Sequence, residues 1–108
     1  MHTKRKGYRV ERKIRILFQK SGWAVIRAGA SLGEADLICL KNKKCVLLQI
    51  KSTNKRALYY YGYSRPRFEG FPFFLVVDFG YNKIRVQSPR NKITVFDGQA
   101  IDEFLRNY

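Results

Sequence analysis

The stretch Gly33-Glu34-Ala35-Asp36-Leu37-Ile38-Cys39-Leu40, the run Lys41-Asn42-Lys43-Lys44, and then Cys45-Val46-Leu47-Leu48-Gln49-Ile50-Lys51 decides how this chain is read. Two apolar segments flank a short polar one, the pattern of a β-hairpin. Closing the turn symmetrically sets Leu40 opposite Cys45, Ile38 opposite Leu47 and Asp36 opposite Gln49. Side chains alternate along a strand, so Asp36, Gln49 and Lys51 leave the sheet on one face. A carboxylate, an amide and an ammonium then gather at one end of an otherwise apolar hairpin. Burying such groups unpaired costs a few kcal/mol, which makes a purely structural purpose a poor explanation for three of them together.

Outward from the hairpin, the chain has the proportions of a single domain over residues 1–108. Its residues are 45% hydrophobic and 15% aromatic, enough for a folded core. No apolar run reaches the ~20 residues that span a bilayer. The basic start Met1-His2-Thr3-Lys4-Arg5-Lys6 leads into no apolar signal core. These features predict a cytoplasmic protein with no membrane partner. Lys and Arg number 22 against eight Asp and Glu, a net charge of +14. Such an excess attracts a polyanion, and nucleic acid is the favoured partner. Cys39 and Cys45 fall on opposite faces of the hairpin and have no zinc-type spacing, so they are expected to be free thiols.

Residues 9–20 place Val10, Ile14, Leu17 and Phe18 on one stripe of an amphipathic helix, which Gly22 ends. Arg12 lies on the opposite, polar face. Ahead of it, Lys4, Arg5 and Lys6 read as a basic arm, with Tyr8 either stacking on a base or packing at the helix entry. Glu11 sits at the edge of the apolar stripe. Its simplest role is an i,i+4 ion pair with Arg15; its functional alternative is a carboxylate looking across the sheet at Asp36. A first strand is expected at 23–27, then a loop of small residues in which Ser31 is either a phosphate donor or ordinary loop polarity, and Glu34 a solvated residue. After Lys51, the cations Lys55, Arg56, Arg65 and Arg67 interleave with aromatics in a segment broken by prolines and glycines, a composition suited to DNA contact. Residues 73–79 form a continuous apolar run, as in a strand buried on both faces. Residues 83–87 alternate as a half-exposed final strand, with a short strand-like piece at 93–96. A C-terminal helix is expected from Asp97 as N-cap, with Ile101, Phe104 and Leu105 on its apolar stripe.

Asp36 and the Gln49 amide offer hard oxygen ligands of the kind that suit Mg2+, with Mn2+ as a substitute. A cation there activates water and polarises a phosphodiester, and Lys51 orients that water or stabilises developing charge on phosphate. Hairpin and charge together point to a metal-dependent phosphodiesterase acting on nucleic acid.

In the order Glu11, a Gly- and Ser-bearing loop, Asp36, then Gln49-Ile50-Lys51, the chain resembles the PD-(D/E)XK nuclease superfamily. More closely it resembles the archaeal-type Holliday junction resolvases, through Lys6-Gly7-Tyr8, Glu11-Arg12, Gly22-Trp23 and Arg27. The resemblance covers about residues 5–88. It implies an α/β, restriction-endonuclease-like core: an N-terminal helix packed on a central mixed β-sheet, with a C-terminal helix. It further implies a Mg2+-dependent endonuclease resolving four-way DNA junctions as a homodimer. Glu11, Asp36 and Gln49 would supply metal ligands, Ile50 a backbone carbonyl, Lys51 the catalytic lysine, and Ser31 a loop group near the scissile phosphate. Arg27, on the matching strand, joins the expected DNA contacts. Two departures stand out. Gln49 occupies the position usually held by an acid, and 52–72 lacks the helix that resolvases carry there. The alternatives are a nuclease of the same fold cutting nicked, flapped or duplex DNA, and a non-catalytic DNA-binding protein with a weakened metal site.

Overall fold

The computed structural model describes residues 3–29, 35–60 and 70–108. Helix α1 (Thr3–Lys20) leads into β1 (Ala24–Arg27), and the hairpin follows as β2 (Leu37–Lys41) and β3 (Lys44–Ser52). After β4 (Ala57–Tyr59) come β5 (Phe73–Asp78), β6 (Ile84–Gln87), β7 (Lys92–Thr94), β8 (Gln99–Ala100) and α2 (Ile101–Asn107). Six strands form one sheet in the order β1-β2-β3-β5-β6-β8. Only β3 and β5 run parallel; the other neighbours are antiparallel. The sheet is therefore mixed, with helices at both ends of the chain, as the resemblance implies.

The hairpin has the expected register, with Leu40 opposite Cys45 and Ile38 opposite Leu47. Its two-residue turn puts Asn42 and Lys43 at φ 50° and 68°, the doubly positive geometry whose twist matches paired strands and which asparagine tolerates. The turn thus fixes, six residues away, what stands opposite Asp36.

One face of the sheet is covered by α1 and α2. Val10, Ile14 and Phe18 pack there on Leu37, Cys39, Leu48 and Val76, joined by Ile101 and Phe104. Phe104 stacks on Tyr108 with 4.8 Å between ring centroids and meets Phe74 edge-on at 5.1 Å. The other face is covered by a two-stranded ribbon of β4 and β7. Leu58 and Ile93 of the ribbon pack with Leu75, Val77, Phe79 and Tyr60.

Three expectations change. The basic segment ahead of residue 9 is no arm: α1 begins at Thr3, because the helix carries through Gly7, a residue that only weakens a helix interior by about 1 kcal/mol. The C-terminal helix begins at Ile101, with Ala100 at its N-cap. Asp97 instead accepts a bond from the Thr94 N–H at 2.7 Å, closing a turn that frees β8 to pair with β6. Residues 84–87 therefore form an internal strand, with Ile84 and Val86 buried. The end of α1 is as expected. Gly22, at φ 95°, permits the paired bonds Trp23 N–H to Phe18 C=O and Gly22 N–H to Gln19 C=O, a Schellman closure.

Candidate active site

Four elements end near one another: the first turns of α1, the end of β1, the start of β2 and the end of β3. Gly7, Tyr8, Glu11, Arg27, Asp36 and Ile50 line a cleft of about 350 Å³ between them. Glu11 and Asp36, far apart in sequence, thus share one opening. The functional reading of Glu11 as a carboxylate turned toward Asp36 agrees with this placement. Its ion-pair partner is not Arg15: Arg27 Nε lies 2.8 Å from Glu11 Oε1. The Arg27 guanidinium also stands 5.6 Å over the Tyr8 ring. Arg27, expected among the DNA contacts, pairs with the Glu11 carboxylate at the cleft and remains half exposed.

Asp36 stands where the register requires. The Gln49 Nε2–H donates to Asp36 Oδ2 at 3.1 Å, and the Ile50 N–H donates to the same oxygen at 2.7 Å. Asp36 is thereby tied to β3 through one side chain and one backbone amide. Gln49 is only 7% exposed, and its Oε1 is buried without a protein partner. Leaving an acceptor in that condition is costly, which marks the site as one that a cation would complete. The donor set is also chemically apt: two carboxylates, an amide oxygen and a nearby backbone carbonyl are all hard oxygen groups. Among the described residues there is no cluster of three His, Cys, Asp or Glu fit for a metal.

Lys51 follows Ile50, is exposed, and leaves the sheet on the Gln49 side, so it borders the cleft without lining it. Of the expected DNA contacts, Tyr8 lines the cleft and is half exposed, while Arg12, Lys55 and Arg56 are exposed. Lys4, Arg5 and Lys6 fall in the first turns of α1. Ser31, Glu34, Arg65 and Arg67 lie outside the described residues.

Sequence reasoning missed Asp78, a buried acid at the end of β5. It accepts from Lys13 Nζ at 3.1 Å and from the Gly80 N–H at 2.8 Å, clamping α1 to the sheet beside the cleft. Its place at the end of an apolar run was the available signal. Cys39 and Cys45 are free thiols, as expected. Burial pushes the Cys39 thiol up to about 12, with Cys45 adding to the rise.

A mixed sheet carrying this group of oxygens where its strand ends meet the N-terminal helix defines a nuclease of the PD-(D/E)XK class. A solved structure of Archaeoglobus fulgidus Hjc, a Holliday junction resolvase from an archaeal hyperthermophile, matches the fold with a TM-score of 0.74. It is 20% identical in sequence, and the match covers 95% of this chain and 98% of that one. No curated protein matches the sequence. The model of the archaeal Holliday junction resolvase (Hjc) family matches residues 2–107, and the chain belongs to that family. Its activity is that of a junction-resolving nuclease.

Proposed function

We propose that this chain hydrolyses phosphodiester bonds in four-way DNA junctions with Mg2+, for which Mn2+ substitutes, and that it does so as a homodimer in the cytoplasm. The observation that carries the reading is the pairing of Glu11 and Asp36 in one cleft, with the orphaned Gln49 oxygen behind it. Asp36, Gln49, Glu11 and the Ile50 carbonyl would hold the cation. When bound, such an ion lowers the pKa of water and offsets charge on phosphate.

The chain's own groups supply the remainder. The Ile50 N–H and the Gln49 amide hold the Asp36 carboxylate in one orientation, so little reorganisation is needed as charge develops. Arg27 holds the Glu11 carboxylate through an ion pair at the cleft. Lys51 meets the substrate from the exposed side, stabilising negative charge on the phosphate or orienting the attacking water. Tyr8 lines the cleft where the flanking backbone would run, and Arg12 is exposed on the same helix. Two copies related by a two-fold axis would bring two such sites to the two-fold symmetry of a junction.

The test is cleavage of labelled four-way junction, flap and linear duplex by the full chain in Mg2+, Mn2+ or EDTA. Junction cutting with either metal and none in EDTA is expected, and Asp36→Asn should abolish it. Tight, salt-sensitive binding without cleavage of any substrate would leave a DNA-binding protein in place of the enzyme. Cleavage that survives Asp36→Asn would remove Asp36 from the site.

A further inference from the structure

The ribbon of β4 and β7 has an outer face that the cleft chemistry does not use. Its inner side chains, the buried Ile93 and the partly buried Leu58, pack against the main sheet. Alternation therefore turns Tyr59 and Lys92 outward, and these two are direct cross-strand partners. Lys92 Nζ stands 5.8 Å over the Tyr59 ring. At the other end of the ribbon the arrangement recurs: the Arg56 guanidinium stands 5.9 Å over the Phe96 ring. Both rings are open, Tyr59 57% exposed and Phe96 78%. Beside Phe96, Lys83 joins Arg56 around a cleft of about 310 Å³ that Asp102 also lines, while the Arg85 guanidinium there donates to the Asp97 and Gly98 carbonyls. The carboxylates near this end are already engaged. Asp97 bonds the Thr94 N–H and lies 3.9 Å from Arg90; Asp102 lies 3.7 Å from Arg106.

Two exposed rings, each carrying a cation, on a chain of net charge +14, match one kind of ligand: a polyanion with flat apolar units. Single-stranded DNA has that chemistry, because its unpaired bases stack on rings while phosphates meet the cations. Duplex DNA keeps its base faces hidden and offers only the phosphates. A neighbouring protein would gain from the rings but would need acidic groups to match the cations.

We propose that Tyr59 and Phe96, with Lys92 and Arg56, form a stacking platform for unpaired bases of the DNA, separate from the cleft of Glu11 and Asp36. The proposal rests on the reading of DNA as the partner and adds to it a preference for unstacked nucleotides. Arg56 and Tyr59, each in one of the two cation–ring pairs, are three residues apart, about 10 Å of backbone at about 3.3 Å per residue, a span of about three nucleotides at ~3.4 Å each. The platform covers the sheet face from which Lys51 projects. Arg56 follows Lys51 by five positions, which bounds their backbone separation at about 18 Å. A strand opened near the cut therefore reaches the rings.

Fluorescence anisotropy of the full chain in EDTA, with a labelled oligothymidylate and a labelled duplex, tests this. Tyr59→Ala and Phe96→Ala should each weaken single-strand binding by about 5- to 150-fold, the range that corresponds to the loss of one stacked base, while duplex binding stays near the parent value. Phe96→Tyr and Tyr59→Trp should retain single-strand binding, and Phe96→Leu, which keeps bulk without a ring, should not. Equal losses on both DNAs, no loss on either, or full binding by Phe96→Leu would overturn the platform. So would a fall in sedimenting mass for Phe96→Ala, which would assign the rings to contact between copies. Binding in EDTA is independent of cutting. An uncut junction with ring-dependent binding would therefore count against the nuclease chemistry alone, and normal cleavage with ring-independent binding against the platform alone.

Discussion

Gln49 is held at the centre of the site by a single donated bond, Nε2–H to Asp36 Oδ2. The orientation of the amide follows from that bond, since turning it over would set two acceptor oxygens face to face. Replacing the amide by a carboxylate would then place like charges side by side in a buried position. Gln49→Glu should melt at lower temperature than the parent in EDTA, by the equivalent of about 1–3 kcal/mol. It should also gain more from Mg2+, because the cation offsets the repulsion, and cut at lower Mg2+. Thermal melts with and without Mg2+ read this directly; an equal Mg2+ gain in both proteins would place residue 49 outside the ligand set. Cys39 offers a second measurement at this scale. Its thiol, raised from 9.0 to about 12 by burial, is neutral in the fold and ionises more readily once unfolded. The folded state therefore holds the proton more tightly. The resulting stability is complete below about pH 9 and is lost as pH climbs toward 12. Thiol alkylation at pH 8 should modify the partly exposed Cys45 and spare Cys39 until denaturant is added.

Among the elements, the hairpin and the ribbon show why one part of the structure was legible in the sequence and another was not. Partners in β2 and β3 are separated by a two-residue turn, so alternation alone fixes that Asp36 meets Gln49. Ala57 and Thr94, paired in the ribbon, are separated by two other strands, β5 and β6, and no local pattern links them. The same distinction governs the site. Asp36, Gln49 and Lys51 were readable from one hairpin. Glu11 was placed only by resemblance, and its contact with Arg27, like that of Lys13 with Asp78, depends on how α1 lies on the sheet. Asp97 misled because an N-cap and a turn-forming aspartate use the same side-chain bond to a backbone N–H. That bond from Thr94 is also the chief reason its carboxyl is held below the usual range. The turn it closes contains Gly98, at φ 66°, where an added Cβ would come within 2.4 Å of the Val86 carbonyl oxygen and 2.6 Å of the Gln87 Cβ. Neither β6 backbone nor positive φ yields cheaply. Gly98→Ala should cost about 2–4 kcal/mol in chemical denaturation, more than the usual Gly→Ala effect at a compatible site. A cost below about 1 kcal/mol would show that β8 can leave β6 without consequence.

For the whole molecule, charge sets two equilibria against each other. Each chain carries +14, so bringing two copies together without DNA doubles the charge on one assembly, and that repulsion would weaken the proposed dimer at low salt. Added salt screens that repulsion over a distance of about 10 Å at 0.1 M. Binding to DNA responds oppositely, because neutralising phosphates releases condensed counterions. For about 6–10 phosphate contacts, affinity falls by about 10³–10⁵ between 50 and 200 mM salt. The dimer fraction of the free protein should therefore rise with salt while junction affinity falls. A junction, itself a dense polyanion, should restore the dimer at low salt by cancelling the charge that opposes it. Sedimentation of the free chain and of its junction complex across a salt series reads both trends. A free protein that is fully dimeric at the lowest salt would mean that apolar contact between copies outweighs the repulsion. A junction complex holding one copy at every salt concentration would end the two-site account of resolution.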